Sequence, residues 1–496
     1  MAGVAVLDPA SAQRSSSPTT QATRYLCAAA YSDHRFARWV ISDLLEGHNR
    51  ATAPSYGVDI VPIIRHCVRA QRQRLVRDLV LSAMLIATAL MVVNTARPLL
   101  EIMLRLVLLS WAVVFFMACL IRYEVVVPRL LRDRFDPDRG PRMSGRRERL
   151  LYDLVQRLRT NVTVYSGFSP FVGCGLDIGG WSFVVDTRRG REDPIRGTLE
   201  PKTFNLDELY SCTTQRVHDL RLDRLRTESR LYVNGRDARA QRWLLHDPAS
   251  RPSTWVDDAL VDHFRRFPSE QVRHYLTVQV VEWGGELVLS IFLRFSVTGE
   301  NLFCEASYFL LPPVVERYHQ VDDMNGEVDL RTVGAIFLRS IVLTPFLLVI
   351  APFAVLYRIV ERWTRWRERV VTRRRARQSP TFDYGAVTTV RQRSMSPNPR
   401  HYFQLLDRIM YVKLVEQQIF DAIITFLEKS DIDTSELRKR QTTVLNTGVI
   451  VSGGQINAES LAVGTGAVAG VRHAVSAARS GGASGAAQPS STSRGK

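Results

Sequence analysis

The chain has 496 residues with 46% hydrophobic content, enough for two to four domains with substantial cores. Its net charge of +17 comes from 66 basic and 49 acidic residues, and only five of the basic residues are lysine. This arginine excess is typical of a high-GC bacterial genome, so a single arginine carries little functional information and a cluster carries more. The six cysteines are scattered without a C-x-x-C pair, which argues against a structural metal and a disulfide framework.

No local motif indicates a reaction. The glycine-rich stretch FVGCGLDIGGW (171–181) matches neither the dinucleotide fingerprint nor the phosphate-loop pattern, and it is interpreted as a β-turn. The ten histidines include no H-E-x-x-H array. We therefore predict no catalytic, cofactor-binding or metal-binding residue and no cofactor. A catalytic site assembled from distant residues stays open.

Two apolar runs near the N-terminus predict a transmembrane hairpin. Residues 1–23 form a polar, disordered N-terminus without a signal-peptide core, and 24–78 read as a cytoplasmic helical region. Leu79–Ala96 carries no charge over 18 residues, and Leu106–Ile121 is again uncharged. Pro98 marks the turn between them. The hairpin therefore covers 79–121.

Arginine clusters orient this hairpin. They lie at 65–77 before it and at 122–134 after it, whereas the turn contains only Arg97. By the positive-inside rule, both flanks are cytoplasmic.

Residues 122–331 predict a cytoplasmic α+β domain. Three β-prone runs at 274–283, 286–297 and 301–311 are separated by glycine-containing turns and predict an antiparallel meander. Asn234-Gly235 predicts a type I′ hairpin turn.

A third apolar segment (332–357) leads into a basic stretch. Its two prolines, Pro345 and Pro352, and the arginines that follow favour a re-entrant or kinked hairpin over a full span, but both remain open.

Residues 358–377 predict a basic interfacial helix, because tryptophans fall on one face and arginines on much of the rest. The predicted membrane-surface residues are Trp363, Trp366, Arg362, Arg365, Arg367 and Arg369. Proximity to an apolar segment favours anionic membrane lipids over nucleic acid as the partner.

The C-terminal part begins with a polar linker (378–399). A helical module (400–446) follows, in which a long helix from His401 to Lys429 has a wide apolar face. That width suits a bundle or a self-associating helix, although packing against the chain's own α+β domain is equally compatible. A β-prone segment (447–470) and a disordered tail (471–496) complete the chain.

The β-prone segment TGVIVSGGQINAESLAVGTGAVAG has almost no charge. It resembles bacterial amyloid signalling motifs, and SLAVGTGAVAG also resembles one coil of the head repeat of trimeric autotransporter adhesins. The remaining chain resembles uncharacterised actinobacterial membrane proteins. A short β-arch with open edges is a template for a second copy; a flexible apolar tail is the alternative. The predicted self-association residues are Ile450, Ile456, Leu461 and Val463.

These patterns together predict a membrane protein with a helical transmembrane hairpin, a cytoplasmic α+β domain and a helical C-terminal module that ends in a short β-arch. We expect a multi-pass protein of the cell membrane with most of the chain cytoplasmic. Its expected function is that of a scaffold or signalling protein that acts through self-association as a homo-oligomer. The alternative is a membrane-anchored ligand sensor or enzyme that uses the α+β domain.

Overall fold

The computed structural model describes residues 20–45, 49–94, 98–143, 145–157, 160–195, 197–324, 327 and 329–446. The chain divides into two compact units, Met1–Lys439 and Arg440–Lys496. Of the second unit, only the end of one helix is described. All other described helices and strands belong to the first unit.

The N-terminal part is helical. Its helices are α1 (Thr20–Ser32), α2 (His34–Val40), α3 (Ile60–Asn94), α4 (Leu99–Leu120), α5 (Val127–Leu130) and α6 (Arg146–Arg157). Asp33 caps α2 by accepting hydrogen bonds from the amides of Arg35 and Phe36. A π-helical stretch, Ile121–Val126, joins α4 to α5 without a break. The two predicted apolar helices are thus present, and each is longer than its apolar run.

A six-stranded mixed sheet forms the centre of the first unit. Its strands are β1 (Val162–Tyr165), β2 (Leu176–Asp186), β5 (Leu225–Asn234), β6 (Val272–Glu282), β7 (Leu287–Thr298) and β8 (Asn301–Leu311), in the order β1-β5-β6-β7-β8-β2. β3 (Glu192–Asp193) and β4 (Gly197–Thr198) form a separate short pair. β1 and β5 are parallel, and all other neighbours are antiparallel. The predicted meander is therefore confirmed as β6–β8.

The predicted Asn234-Gly235 hairpin turn is wrong. β5 ends at Asn234, and its neighbours are β1 and β6 rather than a strand that follows directly. Gly235 serves a different purpose, since a Cβ there would lie 2.1 Å from an Asp383 carboxylate oxygen and 2.2 Å from the Gly385 nitrogen. The glycine permits close approach of a distant segment.

The remaining helices are α7 (Leu206–His218), α8 (Asp258–Arg266), α9 (Leu330–Gln378), α10 (Val390–Arg393), α11 (Tyr402–Lys429) and α12 (Ser435–Asn446). The re-entrant or kinked hairpin that the sequence favoured for 332–357 is not formed. α9 is one helix of 49 residues that passes through both prolines and includes the basic stretch 358–377. Among the described residues, three helices are long and apolar enough to cross a membrane: α3, the continuous helix Leu99–Leu130 that includes α4 and α5, and α9.

The stretch expected to be a linker is packed into the core. We call residues 379–396 the strap. Tyr384 and Val390 are fully buried, and Ala386 is nearly so. The Ala386 amide donates to the Val164 carbonyl at 2.9 Å, which places the strap beside β1 at the edge of the sheet. Polar composition predicted exposure here, but the strap also buries the polar side chains of Thr389, Arg391 and Ser394.

Two layers cover the sheet. On one face, Phe292 stacks on Phe171 with ring centroids 3.9 Å apart, in a cluster completed by Tyr56 and the strap residue Met395. On the other face, the Tyr210 hydroxyl of α7 accepts a hydrogen bond from the Phe295 amide, and Tyr308 donates to Glu416 of α11. The sheet is therefore sandwiched between a helical layer and an irregular layer that includes the strap.

Two buried histidines carry a pH dependence. Burial, assisted by nearby arginines, lowers the pKa of His66 to about 3 and that of His274 to about 3. His66 contacts the Tyr31 hydroxyl at 2.9 Å, whereas neither ring nitrogen of His274 has a hydrogen-bond partner in the part of the chain that the structure describes.

We predict that the free energy of unfolding falls as the pH drops below about 6.5. In this pH range these histidines bind protons in the unfolded chain but stay neutral in the folded chain. The free energy of unfolding therefore falls by up to about 1.4 kcal/mol per pH unit for each histidine. Carboxylates with lowered pKa act only below about pH 4, whereas the raised pKa of Asp43, Asp59, Glu282 and Glu416 acts in the opposite direction. The histidine contribution is therefore read from the difference between variants in thermal unfolding in detergent between pH 7.5 and 5. His274→Phe should flatten the profile. His246→Phe, at an exposed position, serves as the matched control, and equal profiles for both variants would contradict the assignment.

Candidate functional site

A dense cluster of titratable side chains lies where α1 meets the β6–β7 turn and the segment before α9. Arg24 pairs with Asp322 at 2.5 Å, and the Tyr25 hydroxyl donates to the other carboxylate oxygen of Asp322 at 2.6 Å. His319 contacts Glu286 at 2.7 Å, and its ring lies 4.1 Å from that of Tyr25. Histidine, carboxylates and tyrosine at such distances are the groups used in acid–base catalysis.

The cluster is nevertheless closed. Tyr25, Glu286 and His319 are between 2% and 6% exposed, and Tyr25 bonds to Asp322 while His319 bonds to Glu286. Asp322 is the exposed member, and its carboxylate is occupied by Arg24 and Tyr25. Arg24 also donates to the Leu130 carbonyl at 3.2 Å, so the cluster joins α1, α5 and the segment before α9. A buried, mutually bonded network of this kind specifies packing rather than substrate access.

Arg391 on the strap extends this network and is fully buried. Its guanidinium donates to three main-chain carbonyls, those of Gly285, Glu286 and Pro312, at 2.6–3.3 Å. Burial lowers the pKa of Arg391 to about 10, with Glu286 acting in the opposite direction. The arginine thus holds the strap against both ends of the β7–β8 hairpin.

An open recess offers a better place for a ligand. It has a volume of about 450 Å³ and lies between three parts of the first unit: the α2 region, the basic half of α9 and the strap. Seven of its twenty lining residues are charged. They are Asp43, Arg50, Arg251, Arg365, Glu368, Arg369 and Arg393.

The charges in the recess favour an anion. Arg393 lies over the Trp39 ring at 4.6 Å, and Arg251 donates to Thr52 at 3.0 Å, so both guanidiniums are oriented by neighbours. Loss of hydration raises the pKa of Asp43 despite nearby arginines, although part of its side chain is open to solvent. Five arginines against two carboxylates suit a phosphate or carboxylate ligand.

The structure divides the six predicted membrane-surface residues between two sides of α9. Trp363 and Trp366 are 57% and 59% exposed and face away from the domain, and the Arg367 guanidinium lies 5.8 Å from the Trp363 ring centre. Arg362 is exposed as well. Arg365 and Arg369 instead line the recess, where Arg365 pairs with Glu361 at 2.6 Å.

The predicted self-association residues Ile450, Ile456, Leu461 and Val463 lie outside the described residues. Among the residues that are described, no group of three or more His, Cys, Asp or Glu side chains could hold a metal ion. No local pattern predicts the recess, because its arginines come from three segments, around residues 50, 251 and 365–393, which are far apart in the chain.

Fold and recess together define a class of protein: a mixed-sheet domain joined to three helices that are long and apolar enough to cross a membrane. Residues 180–457 match the AbeC-like domain, which is more than half of the chain, and the protein therefore belongs to the AbeC-like domain family. The matched part begins within β2 and includes α9 and the strap, whereas α3 and α4 precede it. Comparison with curated proteins and with solved structures gave no match.

We predict that Arg391→Met lowers the free energy of unfolding by on the order of 3 kcal/mol. Three buried carbonyls lose their charged donor and no water can replace it. Arg391→Lys should be intermediate, since one ammonium group cannot span all three acceptors. Chemical unfolding in detergent measures both variants. Arg226→Met, at an exposed strand position, should change little, and an equal loss in that control would remove the special role of Arg391.

Proposed function

We propose that this protein is a membrane-anchored cytoplasmic scaffold or signalling protein that acts through self-association. The anchor is the hairpin formed by α3 and α4. Its outward side chains are large and apolar, with Ile86 60%, Leu100 82% and Phe116 64% exposed. Lipid is the partner that such a surface requires.

The observation that carries self-association is an apolar surface on α11. The C-terminal half of this helix is buried against α7 and β2, with Phe420 packed on Trp181 and Phe183. Its N-terminal half has exposed apolar side chains, which we call the α11 patch. They are Tyr402 (62%), Phe403 (65%), Leu406 (42%) and Met410 (44%).

Both alternatives considered for this helix therefore find support, one in each half. A second copy of the chain is the occupant proposed for the α11 patch. Anchoring restricts copies to a surface and raises their effective concentration, so a small patch suffices for association. The neutral, β-prone segment 447–470 supplies a second contact in this proposal, through strand pairing between copies.

A membrane-anchored ligand sensor or enzyme is the second candidate function, and the recess favours it. An anion held by Arg393 of the strap and Arg369 of α9 would contact both segments together, so its binding would reach the sheet core through Arg391. Under this reading, the segment after residue 446 is dispensable.

We predict that full-length protein in vesicles self-associates and that two changes weaken this independently. Leu406→Glu/Met410→Glu places charge in the α11 patch, and truncation after Asn446 removes the β-prone segment. Energy transfer between copies labelled with donor and acceptor dyes measures association. The double variant should reduce transfer severalfold.

Matched controls accompany each change. Gln417→Glu adds charge at an exposed position of the same helix, outside the patch. Ile450→Pro and Ile456→Pro should act like the truncation, because proline removes a strand donor, whereas Ala483→Pro in the tail should not. A protein that stays monomeric throughout would disprove the scaffold function and leave the sensor.

We also predict that the tryptophan face of α9 contacts anionic headgroups. Energy transfer from tryptophan to a headgroup-attached acceptor should be higher in anionic than in neutral vesicles, and should fall with salt. Arg362→Glu/Arg367→Glu should abolish the difference, since each arginine near an anionic surface contributes roughly 1 kcal/mol.

Trp363→Phe/Trp366→Phe identifies the signal among the eight tryptophans. Arg226→Glu/Arg273→Glu, which changes the same charge on exposed strand positions, should leave the signal intact. Equal energy transfer in neutral and anionic vesicles would contradict the proposed contact with anionic headgroups.

A further inference from the structure

The helix α9 begins and ends in the same folded unit. Eight residues before its start, Asp322 is bonded to Arg24 and Tyr25 of α1. At its other end, Ala376 is fully buried among residues of β1 and β5, and the strap that follows lies in the core. The sheet and the strap therefore lie on one side of any membrane.

The connection into α9 is too short to cross a bilayer. Eight residues span at most about 28 Å when fully extended, which is less than the roughly 30 Å of the hydrocarbon layer alone. The connection also contains Asp323, Glu327 and Asp329, whose charges oppose entry into hydrocarbon. Leu330 must therefore lie on the same side as Asp322.

An unbroken helix cannot reverse direction, so it cannot leave and return by two crossings. α9 runs from Leu330 to Gln378 without interruption, and both ends lie on the side of the sheet. Despite its length and hydropathy, a complete crossing by α9 is incompatible with this fold.

The packing of α9 agrees independently. Phe337, near its start, contacts Trp111 and Phe115, which lie in the half of α4 that leads back to the domain. Arg358 pairs at 2.7 Å with Asp78, where the apolar part of α3 begins on the domain side.

Phe337 and Arg358 are about 31 Å apart along a straight helix. If α9 crossed antiparallel to α3 with Arg358 beside Asp78, Phe337 would reach the far end of the hairpin, near Leu99. Instead both positions touch the half of the hairpin nearer the domain. α9 thus lies obliquely across the hairpin.

The exposed surface of α9 indicates whether water or hydrocarbon surrounds the helix. A stripe of buried residues, Ser340, Thr344, Leu348 and Ala351, faces the hairpin. The other sides are apolar and exposed, including Val342 (65%), Phe346 (64%), Val349 (62%) and Phe353 (68%). A helix that is apolar around most of its circumference is stable only in hydrocarbon.

The prolines and arginines allow this placement. Pro345 and Pro352 are seven residues apart and so lie on nearly the same side of α9, where the bends they introduce add. Arg339 and Arg358 bound the uncharged part. The exposed Arg339 can extend its guanidinium to the headgroups, whereas Arg358 is paired with Asp78. A helix with both ends at one interface immerses its middle in a single leaflet.

We infer that the apolar part of α9 is a monotopic element embedded in the leaflet that faces the domain, and that, of the three long apolar helices described, those of the α3–α4 hairpin cross the bilayer whereas α9 does not. The lipid acyl chains of that leaflet are the partner of its exposed face. The inference rests on the proposed membrane anchorage, and the experiment separates the two.

Cysteines introduced one at a time report on which side of the membrane each position lies. Arg331→Cys precedes the apolar part of α9, Gln378→Cys ends the helix, and Arg97→Cys lies between α3 and α4 in the sequence. Full-length protein in right-side-out and inverted vesicles is treated with a membrane-impermeant maleimide, alongside the parent chain with its six cysteines. Labelling after detergent lysis gives the maximum for each position.

We expect positions 331 and 378 to label from the same side and position 97 from the other. Labelling of 331 together with 97, opposite to 378, would overturn the inference while leaving anchorage intact. Labelling of all three from one side would disprove the crossing hairpin and with it the proposed anchorage.

Depth provides a second measurement. Val349 and Ile86 are exposed residues near the middles of the apolar parts of α9 and α3. Nitroxides at Val349→Cys and Ile86→Cys would lie at equal depth if both helices crossed. We expect the label at 349 to be several ångströms shallower, and equal depths would contradict the one-leaflet placement.

Discussion

The return of the chain into the sheet after α9 is the constraint on which the rest of the structure depends. The Tyr384 amide donates to the Gly235 carbonyl at 3.1 Å, and the Ala386 amide donates to Val164 at 2.9 Å. Arg391 then bonds three carbonyls from the β6–β7 turn and the end of β8. Because a buried guanidinium without these acceptors would be strongly unfavourable, the strap and the sheet fold together. The apolar half of α9 is consequently an insertion into one domain rather than a boundary between two.

This insertion is fixed to the hairpin at one polar junction. The Asp78 side chain is 5% exposed and accepts from both Arg77 and Arg358, at 2.8 and 2.7 Å. Arg74, one turn earlier on α3, donates to the carbonyls of Ala30 and Tyr31 at the end of α1. A buried carboxylate between two arginines sets the register of α3 against α9, since a shift by one turn would leave a charge unpaired. The apolar helices and the domain are thereby coupled through the residues where hydropathy changes.

Sequence periodicity correctly predicted the elements whose formation depends on contacts between residues close in the chain. The meander β6–β8 and the helix α11 follow from alternation and 3,4 spacing, because each buries a continuous face. The strap escaped prediction because the acceptors of Arg391 lie 79 to 106 residues away in the chain. The Asn234-Gly235 pair predicted a turn. The absence of a Cβ at Gly235 instead allows Gly385 to approach closely, and no local pattern contains this contact. Pro345 and Pro352 suggested a reversal, yet an apolar helix supported by α3 and α4 tolerates both. The recess likewise depends on arginines brought together only by folding.

The distribution of arginine gives these observations a common physical basis. The stretch after Tyr357 is as basic as the stretches at 65–77 and 122–134, and a single crossing by α9 would have separated it from them. In the fold, all three stretches belong to one unit, with Arg358 bonded to Asp78 and Arg38 beside Glu361 at 3.6 Å. An even number of crossings is what the positive-inside rule requires of such a chain. Hydropathy measures whether a helix can enter hydrocarbon, but whether it crosses is decided by where its two ends are held. Here Asp322 and the strap hold them on the same side.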